Sequence, residues 1–348
     1  YGNALTFVYR GERLIQIVDT IGRPIDFSYN AQSRLETIRY LGRAFTYKYY
    51  PPTGDLLRMT TPPTTEFPQG LTTDYDYLNL PALPRTHNLE SIQDPRNETY
   101  LINYYDHIAD RIVEQIYNGR TSLAYSQDAQ GNATTEMTRG FKFKTHFTFE
   151  PVGHITRMEL FTDGTPPDEA KSYVTLYEYN AAGERTRVVF PRGNSIESAY
   201  DVKGNLLELR RKKIGAAKGV NDPSDLVAKF TYEPKFNLLK TITDPRGNVT
   251  TYVYDYELGE PAFGNLRKTI YPTVDGVTPV TTFTYTRFGQ EETVTDPTGV
   301  VTKYAYDPAT GYLLAMTEGW STSLAATTRF TYDEAGNVTA TIDPNGHK

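Results

Sequence analysis

The sequence predicts an all-β repeat protein built from successive β-hairpins. Three observations predict it: pairs of aromatic residues two positions apart, turn-forming Gly, Asn, Asp and Pro between them, and no useful length of helical spacing. The repeat recurs every 20 to 32 residues, a period typical of stacked or wound repeat architectures. The second aromatic of each repeat marks its register: Tyr9, Tyr29, Tyr49, Tyr77, Tyr105, Tyr125, Phe149, Tyr179, Tyr200, Tyr232, Tyr254, Tyr285, Tyr306 and Tyr332.

The segment 229–248 shows the unit most clearly. Phe230 and Tyr232 stand two apart, so both rings point to one face of an extended chain. A turn follows, and Ile242 lies in a second apolar strand. The segment Asp-Pro-Arg-Gly-Asn at 244–248 then forms a second turn. In it the Asp side chain accepts hydrogen bonds from the following backbone, Pro presets φ, and Gly accepts a positive φ. Each unit is therefore a hairpin that leads into the next hairpin.

Composition limits the domain organisation and the partners. The unbroken repeat predicts one continuous body over residues 1–348, and because both ends fall within a repeat, we expect a fragment of a longer protein. The 28 Tyr allow large ring burial despite a mean hydropathy of −0.53. Zero Cys excludes disulfides and thiolate zinc sites. A net charge of −6 argues against nucleic-acid binding. The sequence has no apolar run of 18 residues, so we predict no membrane insertion by this segment.

Polar inserts lengthen some of the loops. If hairpins stack in order, alternate loops fall at similar places, so we expect the inserts to share a position in the stack. The basic run Arg210–Lys213 is predicted to be a solvated loop, with a binding patch as the weaker alternative. The inserts are 59–71, 161–172, 211–227 and 273–282.

Acidic residues recur at two repeat positions, which is how turn residues behave, whereas a catalytic pair would break the pattern. We therefore predict no catalytic, cofactor-binding or metal site and no enzyme activity. The histidines His87, His107, His146, His154 and His347 show no ligand spacing. The recurring aspartates are Asp19, Asp94, Asp244, Asp296 and Asp343 at one position, and Asp201, Asp255, Asp307 and Asp333 at the other.

Two further patterns have a structural explanation. Four glycosylation sequons begin at Asn97, Asn132, Asn248 and Asn337, all where a turn re-enters a strand, so the repeat itself generates them. Periodic Tyr rings are able to stack on sugars, but packing between neighbouring hairpins explains the Tyr content without any ligand. Carbohydrate binding or adhesion by an open curved sheet stays the alternative function.

The Tyr-Asp and Gly-Asn elements resemble the YD repeat. Tyr200-Asp201 with Gly204-Asn205, and Tyr332-Asp333 with Gly336-Asn337, show the full pattern. Interleaved Asp-Pro-x-Gly segments, such as 244–247, are the companion signature in Rhs proteins, in the C components of insecticidal toxin complexes and in teneurins. The resemblance covers essentially the whole chain.

The resemblance implies a long β-sheet wound spirally into a hollow shell that encloses a toxic C-terminal segment in bacterial relatives and belongs to an adhesion receptor in teneurins. The last Asp-Pro-x-Gly, at 343–346, lies in an ordinary repeat, and the aspartate-bearing core segment of toxin-bearing members is not found. We therefore expect a partial shell: a structural segment of a secreted or surface-displayed protein that encapsulates or presents another part of its own polypeptide.

The ends of a cut sheet predict one more property. Strands near residues 5–9 and 338–342 would each have an unpaired edge, and such edges recruit other strands. We therefore expect end-to-end self-association or frayed termini.

Overall fold

The structure, a computed structural model, describes residues 5–19, 22–51, 53–78, 87–106, 110–140, 143–162, 170–334 and 336–348. It contains 28 strands and one short 3₁₀ helix in these residues. The first fourteen strands are β1 (Thr6–Arg10), β2 (Arg13–Val18), β3 (Pro24–Tyr29), β4 (Leu35–Tyr40), β5 (Arg43–Tyr49), β6 (Leu56–Thr60), β7 (Thr72–Tyr77), β8 (Leu89–Gln93), β9 (Thr99–Tyr105), β10 (Ile112–Ile116), β11 (Arg120–Gln127), β12 (Ala133–Arg139), β13 (Phe143–Phe149) and β14 (Ile155–Phe161).

The second half continues in the same way. Its elements are β15 (Ser172–Tyr179), β16 (Arg185–Val189), β17 (Ser195–Tyr200), β18 (Leu206–Lys212), β19 (Leu226–Tyr232), β20 (Leu239–Thr243), β21 (Val249–Tyr254), the 3₁₀ helix Asp255–Leu258, β22 (Leu266–Ile270), β23 (Val280–Tyr285), β24 (Glu291–Thr295), β25 (Val301–Tyr306), β26 (Leu313–Glu318), β27 (Ala326–Tyr332) and β28 (Val338–Ile342).

All strands belong to one antiparallel sheet in which each strand pairs with its neighbours in sequence. The pairing runs without a crossover from β1–β2 through β20–β21 to β27–β28. Among the described residues, β1 and β28 have one partner each, so the sheet is open rather than closed into a barrel. The predicted succession of β-hairpins in a curved sheet is confirmed, and the only helix in the described part of the chain is the single turn at Asp255–Leu258.

A β-bulge recurs at the aromatic that marks the register. In the β19–β20 pair, Thr231 lies opposite Thr241 and Tyr232 lies opposite Leu239, so one residue of β20 is skipped. The same shift occurs at every register aromatic except Tyr125, which lies inside β11. A bulge bends its strand and increases the local twist, so a bulge in nearly every hairpin curves the whole sheet.

The two long edges of the sheet differ. Turns that follow odd-numbered strands form the tyrosine edge, because the register aromatics lie there, and turns that follow even-numbered strands form the insert edge. All four polar inserts fall on the insert edge, after β6, β14, β18 and β22, as expected from the alternating loop lengths. Residues 163–169 of the second insert lie outside the described residues.

The curved sheet returns upon itself, and its opposite edges meet. The β2–β3 turn on the insert edge contacts the β25–β26 turn on the tyrosine edge, where the Arg23 guanidinium donates to the carbonyl of Thr310. Further along, the β6–β7 loop contacts the β27–β28 turn, where Thr65 Oγ1 donates to Glu334 Oε1 at 3.4 Å. We call this contact line the seam. Because opposite edges meet, the sheet winds as a spiral.

The sheet forms a single layer. Its accessible surface is 22,348 Å², whereas a compact protein of 39.4 kDa would expose about 14,000 Å². In the described residues, the buried apolar residues are Pro62, Val188, Tyr254 and Ala340 alone. Both faces of the sheet therefore keep substantial contact with solvent, and in the described ranges no second layer covers either of them.

Candidate functional site: the tyrosine edge and the seam

The register tyrosines make one repeated hydrogen bond between consecutive hairpins. Tyr254 donates its hydroxyl to the carbonyl of Leu239 at 2.6 Å, and Leu239 opens the preceding even strand. The acceptor is the first residue of that strand in ten of the eleven contacts and the second in β2. The eleven pairs are Tyr29–Leu14, Tyr49–Leu35, Tyr105–Leu89, Tyr125–Ile112, Tyr179–Ile155, Tyr200–Arg185, Tyr232–Leu206, Tyr254–Leu239, Tyr285–Leu266, Tyr306–Glu291 and Tyr332–Leu313.

The strand register explains why the repeat needs a hydroxyl there. The β20–β21 ladder ends at the Thr241–Thr251 pair, two residues short of Leu239. The tyrosine hydroxyl supplies a donor to a carbonyl that lies beyond the ladder, and such carbonyls are costly to leave unpaired. Burial raises the pKa of Tyr254 to about 12, which keeps it a donor at neutral pH. Among the register aromatics outside the eleven pairs, Tyr77 shares a hydrogen bond with the backbone of Leu56, the first residue of β6. Phe149 has no hydroxyl, and there the β12–β13 ladder extends as far as Thr134–Thr148.

The recurring aspartates build the turns, as predicted. Asp201 Oδ1 accepts the backbone N–H groups of Lys203 and Asn205 at 2.8 and 2.9 Å, and its Oδ2 accepts the Asn205 amide at 2.8 Å. Gly204 takes φ +85° to close the turn. These bonds, from the Asn205 side chain first, hold the pKa of Asp201 below its usual range. Related side-chain contacts occur at Asp19, Asp94, Asp244, Asp296, Asp307, Asp333 and Asp343.

Asp255 departs from this simple pattern. It is only 2% exposed, and its carboxylate accepts backbone N–H groups from Phe263 and Asn265, both at 3.0 Å. The following residue, Tyr256, donates its hydroxyl to the buried Glu233 at 2.6 Å, which links two neighbouring turns of the tyrosine edge. Sequence reasoning missed Glu233 and Tyr256, because both lie in turns that depart from the consensus of the repeat.

Three histidines and the four sequon asparagines lie in turns, whereas His146 lies within β13. His87 contacts Asp55 at 2.6 Å, His347 contacts Asp343 at 3.0 Å, and the ring of His154 stacks on Tyr179 at 4.7 Å. His107 lies outside the described residues. The amides of three sequon asparagines, Asn132, Asn248 and Asn337, donate to turn aspartates, and Asn97 is exposed at φ +63°.

Arg23 holds the seam at the β2–β3 turn. Its Nε lies 2.6 Å from Asp19 Oδ2, and its guanidinium lies 5.7 Å from the centre of the Tyr40 ring. Across the seam it donates to the Thr310 carbonyl. On the tyrosine edge itself, Gln290 of the neighbouring β23–β24 turn donates to the Gly311 carbonyl at 2.9 Å. One side chain thus joins a turn near the start of the chain to a turn near its end.

A cleft of about 700 Å³ opens along the seam between the β6–β7 loop and the β27–β28 turn. Phe45, Phe67 and Tyr332 contribute rings to its wall, and Arg43 and Glu334 contribute charge. The Arg43 Nε is buried without a hydrogen-bond acceptor. The cleft brings together residues that are far apart in the sequence, such as Arg43 and Asn337, which are 294 positions apart.

The basic run does not form the predicted solvated loop. Arg210 and Lys212 lie on β18, and the Lys212 side chain is 0% exposed, with its Nζ at 3.6 Å from Asp225 and 3.7 Å from Glu197. Arg210 also contacts Asp225, at 3.2 Å. The prediction was wrong because the loop 213–225 folds back over the strand and supplies Asp225 and the Val220 carbonyl as partners.

The described residues contain no cluster of three or more candidate metal ligands. No helix in the described part of the chain is long and apolar enough to cross a membrane.

The fold and the repeated tyrosine contact define a class of wall-forming β-repeat proteins, in which one layer of hairpins winds into a curved sheet. The sequence profile of the teneurin YD-shell matches residues 69–317, and the RHS repeat profile matches residues 320–348. The chain belongs to the teneurin YD-shell family, and the predicted YD-repeat and Rhs-repeat resemblance is confirmed. No curated protein matches the chain.

Solved structures that contain TcdB2-TccC3 or a Tc holotoxin pore have the same fold. A crystal structure of TcdB2-TccC3-Cdc42 aligns with a TM-score of 0.62 and 16% identity over 93% of this chain. A Photorhabdus luminescens Tc holotoxin pore carrying a TccC3 mutation aligns with a TM-score of 0.61 and 17% identity over 98% of this chain. In both cases the match covers 18% of the other chain, so this chain spans less than a fifth of the length of those shells.

Proposed function

We propose that this chain is a structural segment of a YD-shell that encloses or presents another part of its own polypeptide, in a secreted or surface-displayed protein. The observation that carries the proposal is the single-layer wall, with its 22,348 Å² of accessible surface. A protein whose work is done in one pocket gains nothing from a sheet exposed on both faces. A wall needs two faces, one toward its contents and one toward solvent.

The seam supports the same proposal. A sheet that only presented loops would not need its opposite edges to meet, whereas a container does. The contacts of Arg23 with Thr310 and of Thr65 with Glu334 bring successive turns of the spiral together without a strand pairing between them. In this proposal the wall is not an enzyme, and the aspartates of the repeat serve the turns.

Native and denaturing mass measurements on the complete gene product test the proposal. If a non-repeat segment is cut free but co-purifies until the sample is denatured, the chain is the wall of a container. Limited proteolysis gives a second readout, because an enclosed segment resists protease until the wall is unfolded. A single uncut polypeptide whose non-repeat part is digested as fast as in isolation would overturn the proposal.

A further inference from the structure

Lys212 and Asp225 lie opposite each other where the β18–β19 hairpin opens into its loop. Lys212 ends β18, and Asp225 directly precedes β19. The last pair of this ladder is Arg211–Leu226, so the two side chains occupy the next position along the hairpin. The Lys212 Nζ lies 3.6 Å from Asp225 Oδ2, beyond hydrogen-bond length, and both side chains are 0% exposed. The fold therefore holds an amine and a carboxyl group side by side, away from solvent.

The two oxygens of Asp225 have different surroundings. Oδ2 accepts a hydrogen bond from Arg210 Nη1 at 3.2 Å and another from the backbone N–H of Asp222 at 3.1 Å. Oδ1 is buried and has no hydrogen-bond donor among the described residues. Burial by itself would raise the pKa of Asp225, but the Asp222 N–H and the Arg210 guanidinium lower it below its usual range. Such donors also stabilise negative charge on Oδ2 in a tetrahedral intermediate, while Oδ1 is left able to take up protons.

A second carboxylate lies beside the amine. Glu197 is on β17, two residues from Ser195, which pairs with Lys212, so its side chain lies on the same face of the sheet. Its Oε2 is 3.7 Å from Lys212 Nζ, and the backbone N–H of Gly219 in the folded-back loop donates to its Oε1 at 3.1 Å. A carboxylate held next to an ammonium group is able to accept its proton.

We propose that Lys212 and Asp225 condense, after the chain has folded, to form an intramolecular amide bond. Glu197 takes a proton from the Lys212 ammonium, and the neutral amine then attacks Asp225 Cγ. The bond between Nζ and Cγ forms and the bond between Cγ and Oδ1 breaks, while Arg210 and the Asp222 N–H stabilise the charge on Oδ2. Two of the three ammonium protons pass through Glu197 to Oδ1, which leaves as one water molecule. The ammonium and carboxylate charges cancel, so the step needs no oxidant, reductant or cofactor.

Burial distinguishes this pair from its neighbours. Lys213 and Asp222 are closer together, at 2.9 Å, but their side chains are 62% and 34% exposed. Reaction is favoured where the fold fixes the two groups together and excludes the water that would reverse it. The ion pair of Lys212 with Asp225 is the state before the reaction, and the amide would close the loop 213–224 covalently. This inference does not depend on what the wall encloses.

Mass spectrometry of the unmodified chain tests the proposal. The intact mass should be lower than the sequence mass by one water molecule, in a fraction that grows with time after folding. Trypsin should release residues 212–213 joined to residues 219–229, with fragmentation placing the link between Lys212 and Asp225. A chain that keeps its full sequence mass after prolonged incubation would overturn the proposal. So would a loss of water that maps to Asp275–Gly276, where succinimide formation removes the same mass.

Three variants test the assigned groups, and circular dichroism checks that each keeps its sheet. Lys212→Arg retains the positive charge but has no amine, so it should keep its full mass. Lys213→Arg is the matched control at the next, exposed position and should lose water as the unmodified chain does. Glu197→Gln cannot accept a proton, so its conversion should be about 100-fold slower. Equal loss of water in the two lysine variants would contradict the assigned amine, and an unchanged rate in Glu197→Gln would contradict the assigned proton acceptor.

A cut in the loop gives a readout that does not depend on mass. A site-specific protease sequence inserted between Ala217 and Lys218, at exposed positions, allows the loop to be cut after folding. With the amide in place, the two halves of the chain should stay together in a denaturing gel, whereas the halves of the same chain carrying Lys212→Arg should separate. Separation of the halves in both chains would show that no covalent bond spans the loop.

Discussion

The hydroxyl of Tyr254 lies 2.6 Å from the carbonyl oxygen of Leu239, although the two residues belong to different hairpins. The backbone of Tyr254 lies opposite Leu266 at the bulge of its own hairpin, while its side chain reaches back to the previous one. One residue therefore both bends the sheet and joins consecutive units. This double role explains why the repeat uses Tyr rather than Phe wherever the ladder ends early.

Removing that hydroxyl is expected to destabilise the sheet. Tyr254→Phe leaves the Leu239 carbonyl without its donor, so we expect the free energy of unfolding to fall by about 1–2 kcal/mol. Tyr252→Phe is the matched control, because it removes a hydroxyl from the same strand that donates to no carbonyl among the described residues. Urea unfolding of both variants checks this, and equal losses would contradict the assigned role of the contact.

The loss of stability caused by a substitution is also expected to depend on the position of its hairpin along the sheet. Changing both Tyr252 and Tyr254 to Ala should loosen the wall more than changing Phe330 and Tyr332 to Ala, because a central hairpin has neighbours on both sides and stability in repeat proteins is roughly additive over neighbours. Tyr254 is 7% exposed, and among the described strands only β28 lies beyond β27. Hydrogen exchange across the sheet gives the comparison, and similar losses in the two variants would count against it.

Arg23 is expected to control the seam. Arg23→Ala removes the contacts with Asp19, Tyr40 and the Thr310 carbonyl together, so amides at residues 307–312 should exchange at least tenfold faster while the strands stay protected. Arg246→Ala, in a comparable turn away from the seam, should have no such effect. Unchanged exchange at 307–312 would show that the seam does not depend on this side chain.

The turn aspartates predict loss of stability in acid. The Asn248 amide and nearby backbone N–H groups hold the pKa of Asp244 below its usual range. A carboxyl with a lowered folded-state pKa contributes stability fully above its ordinary pKa of about 3.9 and loses it as the pH falls through the lower value. The midpoint of unfolding should therefore stay constant from pH 7 to about pH 4 and decrease as the pH is lowered further to 2. Below about pH 4 these carboxyls begin to be protonated in the unfolded chain.

One variant isolates a single turn. Asp244→Asn keeps an oxygen acceptor but cannot titrate, so its midpoint should depend less steeply on pH than that of the unmodified chain. Glu12→Gln, which removes an exposed carboxylate from the β1–β2 turn, should keep the original slope. The explanation fails if Asp244→Asn has the same slope as the unmodified chain.

The ion pairs of Lys212 with Asp225 and Glu197 predict that substitutions at these positions have coupled effects on stability. Lys212→Met leaves the carboxylate of Asp225 with one cation fewer, and we expect a large loss of stability and faster exchange in the loop 213–225. The double variant Lys212→Met/Asp225→Leu removes both charges and should recover a substantial part of that loss. Additive losses in the double variant would mean that the two side chains do not act as a pair.

The period of the aromatic pairs and the chemistry of the turns were sufficient to predict the hairpins. Alternation of side chains along a strand and the positive φ of Gly are local properties, so residues such as Phe230, Tyr232 and Gly247 indicate their structure within a few positions. The long loops on a shared edge also followed from their alternating lengths. The partners of Lys212 could not be predicted from the sequence. Glu197 reaches it through a strand pairing and Asp225 through a folded-back loop, and a run of basic residues reveals neither.

The sequence by itself determined the strand, turn and strand order of each unit, the number and order of the units, and the membership of the family, because all of these depend on residues that are close together along the chain. Only the tertiary structure decided where the Tyr hydroxyls bond, how the sheet curves and which turns meet at the seam. Those features depend on small bends that accumulate over many strands, until Arg23 and Thr310, 287 residues apart, come into contact.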